Sequence, residues 1–283
     1  MKNPNLIIIP MAISLLLTTS AVSLSQEGKG YAPVNGITMY YEIHGAGDIP
    51  LVLIHGGGST IETSFGNILP SLAKHGKVIT VELQAHGRTS DRDSEESFEQ
   101  DADDVAGLLD YLSIKKANFF GFSNGGNTAM QIAIRHSGIV NKLILASAFY
   151  KRDGMIPGFF DGMQHASLEN MPAPLKIAYQ KVAKDKNQLQ VMHDKDKMRM
   201  IRFQDWSDET IRSITSPALI IIGDHDVVTP EHAVEMAHVM PHARLMILPG
   251  NHGSYLGEIC TFDADSHIPE MTVNIVEEFL RKM

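Results

Sequence analysis

The sequence predicts an α/β protein with a mainly parallel sheet covered by helices on both faces. Three observations lead to this prediction. Short aliphatic runs of strand length alternate with segments of helical spacing along most of the chain. An Asn35-Gly36 pair near the start is a strong hairpin signal, because both residues tolerate positive φ. The 283 residues are enough for one large α/β domain or two small ones.

Eight strands and five helices follow from these patterns. The predicted strands are 31–34, 37–43, 51–54, 77–83, 117–122, 142–148, 218–223 and 244–248. The predicted helices are 61–75, 95–112, 124–136, 230–239 and 269–282. The first two strands flank the hairpin signal, so they add antiparallel strands at one edge of an otherwise parallel, eight-stranded sheet.

The interval 149–215 breaks this alternation. It contains three prolines, several methionines and no convincing strand. We predict that it forms a helical cap over the carboxyl edge of the sheet, inserted between two parts of the core at 26–148 and 216–283. Its methionines and aromatic residues suit an apolar, adaptable pocket wall, or a layer that only packs onto the sheet.

The first 25 residues have the composition of a secretory signal peptide. Lys2 is the only charged residue before Glu27, the segment 6–17 is almost wholly apolar, and small residues follow it. We expect cleavage between Ala21 and Gln26 and export to the periplasm or the exterior, with an uncleaved anchor as the alternative. The apolar run is shorter than the roughly 20 residues of a membrane span, so no stable span is expected after cleavage.

The composition argues against several kinds of partner. The formal net charge is -9, which does not suit binding to the phosphate backbone of nucleic acids. Cys260 is the only cysteine, which excludes an intrachain disulfide and a cysteine zinc cluster. The carboxylates crowded at 95–104 are interpreted as the solvated start of a helix rather than a metal site. We predict no metal and no cofactor.

A candidate nucleophile stands between a predicted strand and a predicted helix. Residues 121–125 read Gly-Phe-Ser-Asn-Gly, a G-x-S-x-G pattern centred on Ser123. The glycines leave room for a sharp, strained turn that lifts the serine hydroxyl above the sheet. The backbone N–H of Asn124 could then face an oxyanion that develops on a substrate. The alternative is a glycine-rich turn with an incidental serine.

A second glycine-rich segment is the candidate for the other half of an oxyanion hole. Residues 55–58 read His-Gly-Gly-Gly and end an earlier predicted strand. Gly57 is our candidate for the backbone donor, with Gly58 next. A phosphate-binding loop has a similar look, but no Gly-Lys-Ser/Thr sequence follows here.

A serine nucleophile needs a general base, and the base needs an orienting carboxylate. Asp224 and Asp226 follow one predicted strand, and His252 follows the next. Each residue stands just past a strand end, where open α/β sheets place their sites. The sequence therefore favours a triad of Ser123, His252 and one of the two aspartates.

With these motifs, the mature chain resembles the α/β-hydrolase-fold enzymes along nearly its whole length. The matching pieces are 55–58, Ala-His-Gly-Arg at 85–88, 121–126, 223–226 and His252. The resemblance implies that the acid is the second aspartate of a G-D-x-D turn, which is Asp226, and that Asp224 is structural. Glu82 and Ala85 depart from the family's usual residues near the fourth strand, but neither belongs to the triad.

The resemblance implies a serine hydrolase that cleaves a small-molecule ester or lactone through an acyl-enzyme on Ser123, with Gly57 and Asn124 as oxyanion donors. An apolar cap suits a bulky hydrophobic ester. The chain is also similar to serine-dependent macrolide esterases, which would give a role in antibiotic resistance. The alternatives are small-ester, enol-lactone or quorum-signal lactone hydrolysis, a proline-iminopeptidase-like amidase, and a non-catalytic ligand-binding protein on the same fold.

Overall fold

A computed structural model describes residues 28–282, so the predicted signal peptide lies outside the described residues. The described chain forms one eight-stranded sheet in the order β1-β2-β4-β3-β5-β6-β7-β8. Its strands are β1 (Gly28–Val34), β2 (Ile37–His44), β3 (Leu51–Ile54), β4 (Val78–Val81), β5 (Ala117–Phe122), β6 (Val140–Ala146), β7 (Ala218–Gly223) and β8 (Ala243–Leu248). The strands β3 to β8 are parallel, and the hairpin of β1 and β2 adds the antiparallel edge. The predicted sheet is confirmed.

Ten α-helices connect or cover these strands within residues 28–282. They are α1 (Ile61–Phe65), α2 (Leu69–His75), α3 (Phe98–Tyr111), α4 (Asn124–Arg135), α5 (Phe159–Gln164), α6 (Ala173–Val182), α7 (Gln188–Arg202), α8 (Asp208–Arg212), α9 (Pro230–Val239) and α10 (Ile268–Arg281). None of them is long and apolar enough to cross a membrane.

The predicted helix over 61–75 is wrong in one respect, since it is two helices. Thr60 begins α1 with a capping box, and the Gly66 N–H closes it on the Glu62 carbonyl. Pro70 stands in the first turn of α2, where its missing N–H costs nothing, but it cannot donate to the carbonyl of Gly66 four residues earlier. A continuous helix is therefore broken at 66–68.

The sheet separates two apolar layers. Ile54 and Phe119 pack on the face covered by α3, α4 and α9, while their chain neighbours Leu53 and Phe120 pack on the face covered by α1, α2 and α10. This alternation follows from the two-residue period of a strand buried on both faces. The carboxyl ends of β3, β5, β7 and β8 share one edge of the sheet, and the loops that follow them meet there.

The chain between β6 and β7 is helical, as expected. Two contacts place it above the carboxyl edge of the sheet. Asp196 of α7 accepts a hydrogen bond from the Gly58 N–H at 2.5 Å, and the Tyr179 hydroxyl of α6 donates to the Ala85 carbonyl at 3.2 Å. The division into a core and a cap domain stays a prediction.

The carboxylates at the start of α3 are not all solvated, which corrects the interpretation of 95–104. Glu96, Asp101 and Asp104 are buried. Asp101 pairs with Arg199 at 2.6 Å, and Asp104 pairs with Arg92. Arg199 is far along the chain, so the sequence pattern of α3 alone cannot show that these charges are paired inside the protein.

Candidate active site

Ser123 occupies the turn between β5 and α4 with a positive φ of 54° and a ψ of -122°. Few non-glycine residues adopt this conformation without close packing to hold it. A Cβ atom on Gly121 would stand 2.0 Å from the Gly125 carbonyl oxygen, and one on Gly125 would stand 2.1 Å from the Ile54 carbonyl oxygen. Both positions therefore require glycine, and the strained turn expected from the G-x-S-x-G pattern is present.

His252 lies after β8, next to this turn. Its ring centroid is 4.8 Å from that of Phe122, the residue before Ser123, and its Nδ1 is 2.6 Å from Asp226 Oδ1. Because a carboxylate can only accept, Nδ1 carries the proton and Nε2 is the basic nitrogen. Ser123 and His252 line the same cavity.

The Asp226 carboxylate is buried yet held in its ionised form. Burial raises its pKa, but the charge and hydrogen bond of His252, the Ser147 hydroxyl and the Val228 N–H together hold the pKa below its usual value. A buried anion against the far nitrogen of a histidine is the arrangement that orients a general base.

Asp224 is exposed and has other partners. It accepts a hydrogen bond from the Gly250 N–H at 2.8 Å and from His225 Nδ1 at 2.9 Å, and these donors lower its pKa. It therefore joins the loops after β7 and β8. Of the two candidate acids, Asp226 is the one that lies on His252.

The two candidate oxyanion donors lie against each other. A Cβ atom on Gly57 would stand 2.5 Å from Asn124 Nδ2, so the loop after β3 packs directly on the start of α4. The N–H of Gly58 is engaged with the Asp196 carboxylate at 2.5 Å. Gly58 is thus occupied elsewhere, and Gly57 remains the candidate on this loop.

Asp196 is a site residue that the sequence analysis missed. Besides the Gly58 N–H, it accepts from His86 Nε2 at 3.0 Å, from Asn124 Nδ2 at 3.4 Å and from Arg199. The signal was its place in the helical pattern. Positions 192, 196, 199 and 200 share the buried face of α7, and charged residues at core positions call for buried partners.

Asp196 belongs to a cluster of five buried ionisable groups, which are His86, Glu96, Asp101, Asp196 and Arg199. Burial lowers the pKa of His86, but the Asp196 carboxylate outweighs it and raises the value to about 9. Burial also raises the pKa of Glu96. Burial raises the pKa of Asp101 as well. The charges of His86 and Arg199 balance those of the Asp101 and Asp196 carboxylates when Glu96 is protonated.

A cavity of about 400 Å³ opens over Ser123 and His252. Five methionines from the segment between β6 and β7 line it together with two phenylalanines; the methionines are Met155, Met163, Met171, Met192 and Met200. The expected apolar pocket wall is confirmed for these residues. Phe203 and Trp206 instead pack against Phe98 outside the cavity.

A wider cleft of about 810 Å³ lies between the start of α3 and α7, but none of the three candidate triad residues lines it. Its position against exposed charges, away from Ser123, makes it the poorer candidate for the reaction site. In residues 28–282, no group of three or more histidine, cysteine, aspartate or glutamate side chains is arranged to hold a metal ion.

Comparison with known proteins finds relatives of this chain among hydrolases. A family model described as alpha/beta hydrolase fold matches residues 49–206, more than half of the chain. The human serine hydrolase BPHL is 29% identical over 245 residues, which cover 79% of this chain and 79% of that protein.

Two solved structures share the same architecture. A serine hydrolase involved in carbazole degradation superposes with a TM-score of 0.72 at 24% identity, over 90% of this chain and 99% of its own. An enol-lactonase from Burkholderia xenovorans superposes with a TM-score of 0.67 at 23% identity, over 89% of this chain and 100% of its own. At these identities the likeness shows the fold alone.

Proposed function

Because this chain belongs to the alpha/beta hydrolase fold family, we propose that it is a serine hydrolase of carboxylic esters or lactones. One observation carries the proposal. Ser123 in its strained turn and His252, paired with buried Asp226, open onto the same apolar cavity. The hydrolases among its relatives support the reaction class.

The proposed reaction begins with acylation of Ser123. His252 Nε2 takes the hydroxyl proton as Oγ attacks the carbonyl carbon, and the ionised Asp226 stabilises the imidazolium. The backbone N–H groups of Gly57 and Asn124 donate to the oxyanion. The carbon–oxygen bond to the leaving alcohol then breaks, and His252 gives its proton to that alcohol.

Deacylation uses the same groups. His252 Nε2 takes a proton from water, whose oxygen attacks the acyl carbon, and the second oxyanion occupies the same site. The bond to Ser123 Oγ breaks, Oγ recovers the proton and the carboxylic acid leaves. No cofactor enters either step.

The cavity favours a medium-sized apolar acyl group or lactone. Its volume of about 400 Å³ lies within the range of small-molecule sites, and methionines adapt to irregular apolar shapes. A macrolide ring is larger than this volume, so part of the ring would extend out of the mouth of the cavity into solvent. We therefore rank medium esters and smaller lactones ahead of macrolides.

The decisive experiment is hydrolysis of p-nitrophenyl esters of increasing chain length, of acyl-homoserine and enol lactones, and of a macrolide lactone. The parent protein and Ser123→Ala are compared on each. We expect activity on at least one ester or lactone, with Ser123→Ala at background. Equal activity of the two proteins would refute the mechanism, and activity on proline amides alone would favour the amidase alternative.

We further propose that the protein is exported, on the order of charged, apolar and small residues in the segment 1–25. Expression of the full chain followed by cell fractionation and N-terminal sequencing tests this. A mature protein outside the cytoplasm that begins between positions 22 and 26 supports export with cleavage. Retention of the whole chain in the cytoplasm contradicts it.

A further inference from the structure

The Asp226 carboxylate has a second line of contacts, which the proposed reaction does not use. Ser147 Oγ donates to Asp226 Oδ2 at 2.5 Å, and the Tyr255 hydroxyl lies 2.5 Å from Ser147 Oγ. A serine hydroxyl has one proton, and in Ser147 this proton forms the hydrogen bond to the Asp226 carboxylate. The phenol proton of Tyr255 therefore points at Ser147 Oγ, and two hydroxyls in series donate toward Asp226.

The protein holds both hydroxyls in fixed positions. Ser147 follows β6 with φ 50°, and its backbone N–H donates to the Ile221 carbonyl at 2.9 Å. Tyr255 is fully buried behind it. Burial and the charge of Asp226 raise the pKa of Tyr255 well above its usual value, so the phenol keeps its proton and remains a donor.

We propose that Ser147 and Tyr255 are positioning residues for the triad acid, an inference that rests on the proposed function. The two carboxylate oxygens have separate partners. Oδ2 accepts from Ser147, while Oδ1 accepts from His252 and, at 3.3 Å, from the Val228 N–H. With Oδ2 fixed, the carboxylate cannot rotate, and Oδ1 stays directed at His252.

Tyr255 separates this role from direct contact with substrate. Ser147 lines the cavity, so a change there could alter substrate binding. Tyr255 is not among the residues that line the cavity; its hydroxyl contacts Ser147 Oγ at 2.5 Å and the Ile221 carbonyl oxygen at 3.4 Å, and of these two only Ser147 contacts Asp226. A substitution of Tyr255 that lowers kcat and leaves KM unchanged would therefore act through the hydrogen bonds from Tyr255 to Ser147 and from Ser147 to Asp226.

The test compares Ser147→Ala, Ser147→Gly, Tyr255→Phe and the double variant Ser147→Ala/Tyr255→Phe. We expect kcat to fall about tenfold in both Ser147 variants, as for loss of a hydrogen bond to a charged group, and about threefold in Tyr255→Phe, where KM should stay unchanged. The double variant should be no slower than Ser147→Ala, because Tyr255 acts through Ser147. Glycine accepts positive φ, so agreement of the alanine and glycine variants excludes backbone strain as the cause.

The pH dependence of kcat/KM distinguishes positioning of Asp226 from a purely structural role, which would leave it unchanged. Without the hydroxyl donor the Asp226 anion is less stabilised and attracts a proton more strongly, so the acidic limb of kcat/KM, which follows the Asp226–His252 pair as a unit, moves to higher pH. Tyr179→Phe, which removes another buried phenol hydroxyl, is the control and should leave the limb in place. An unmoved limb in all Ser147 and Tyr255 variants, or loss of activity that only follows loss of thermal stability, overturns the inference. Ser123→Ala in parallel shows whether the proposed function itself has failed.

Discussion

The two sides of the candidate active site are held by different chemistry. On the acid–base side, Asp226 contacts one histidine and otherwise neutral donors, the Ser147 hydroxyl and the Val228 N–H. On the oxyanion side, the carboxylate of Asp196 holds the Gly58 N–H from within a cluster of buried charges. The residues of the first set follow the ends of sheet strands, whereas Asp196 belongs to helix α7 in the segment between β6 and β7.

The two sides therefore depend differently on pH and on the pairing of charges. Neutral hydroxyls keep their charge state over the working pH range, so the hydrogen bond that holds Asp226 Oδ2 does not change with pH. A buried ion cluster is stable only while every charge has its partner, and its carboxyl groups titrate. Substitutions should therefore disturb one side and leave the other intact.

The substitution with the largest expected effect on kcat is on the acid–base side. In Asp226→Asn the amide can present a donor to Nδ1, which fixes the wrong tautomer of His252, so kcat should fall by about 10⁴-fold. Asp224→Asn is the matched control two residues away and should stay within about threefold of the parent, because Asp224 only joins two surface loops. Steady-state kinetics on the best ester checks both. A larger loss in Asp224→Asn would reverse the assignment of the acid.

The next largest effects are expected from substitutions on the oxyanion side. Asp196→Ala and Asp101→Ala each remove a partner of Arg199, so each should lose about 3–5 kcal/mol of stability. Only Asp196→Ala also frees the Gly58 N–H, so only this variant should lose kcat in its folded form, by about tenfold. Thermal unfolding, and kinetics well below both melting temperatures, separate the two losses. Equal kcat in the two variants would show that Asp196 does not hold the oxyanion loop.

Much of the fold and of the site could be predicted because the signals are local. The hairpin at Asn35-Gly36, the buried strands and the strained turn at Ser123 each depend on a few adjacent residues, and the fold they predict is confirmed. The candidate triad follows for the same reason, since each member stands just after a strand; the roles of its members are what the variants test.

The buried charges could not be predicted in this way. The carboxylates of α3 have the composition of a solvated helix start, and their partner Arg199 lies about a hundred residues later in α7. Nothing in either segment alone states that the two helices face each other. Pairing of charges across an insertion is set by tertiary packing, which a pattern of residue types in one segment does not contain.

The smallest expected effect is on the pH dependence of stability, and it tests whether the buried cluster on the oxyanion side titrates. Glu96 is buried, neither of its carboxyl oxygens has a hydrogen-bond partner, and Arg199 Nη1 lies 3.7 Å from Oε2; burial raises the pKa of Glu96. As pH rises above the usual glutamate pKa, the unfolded chain releases this proton while the folded chain keeps it, so the parent loses stability up to the raised folded pKa. Glu96→Gln has no such proton, so its melting temperature should rise relative to that of the parent between pH 4 and pH 8. The rise should be about 2–4 °C for each 1 kcal/mol of stability that the parent loses over this range. Glu95→Gln, at the exposed neighbouring position, should show no such trend. Parallel curves for Glu96→Gln and the parent would mean that Glu96 is ionised inside the cluster.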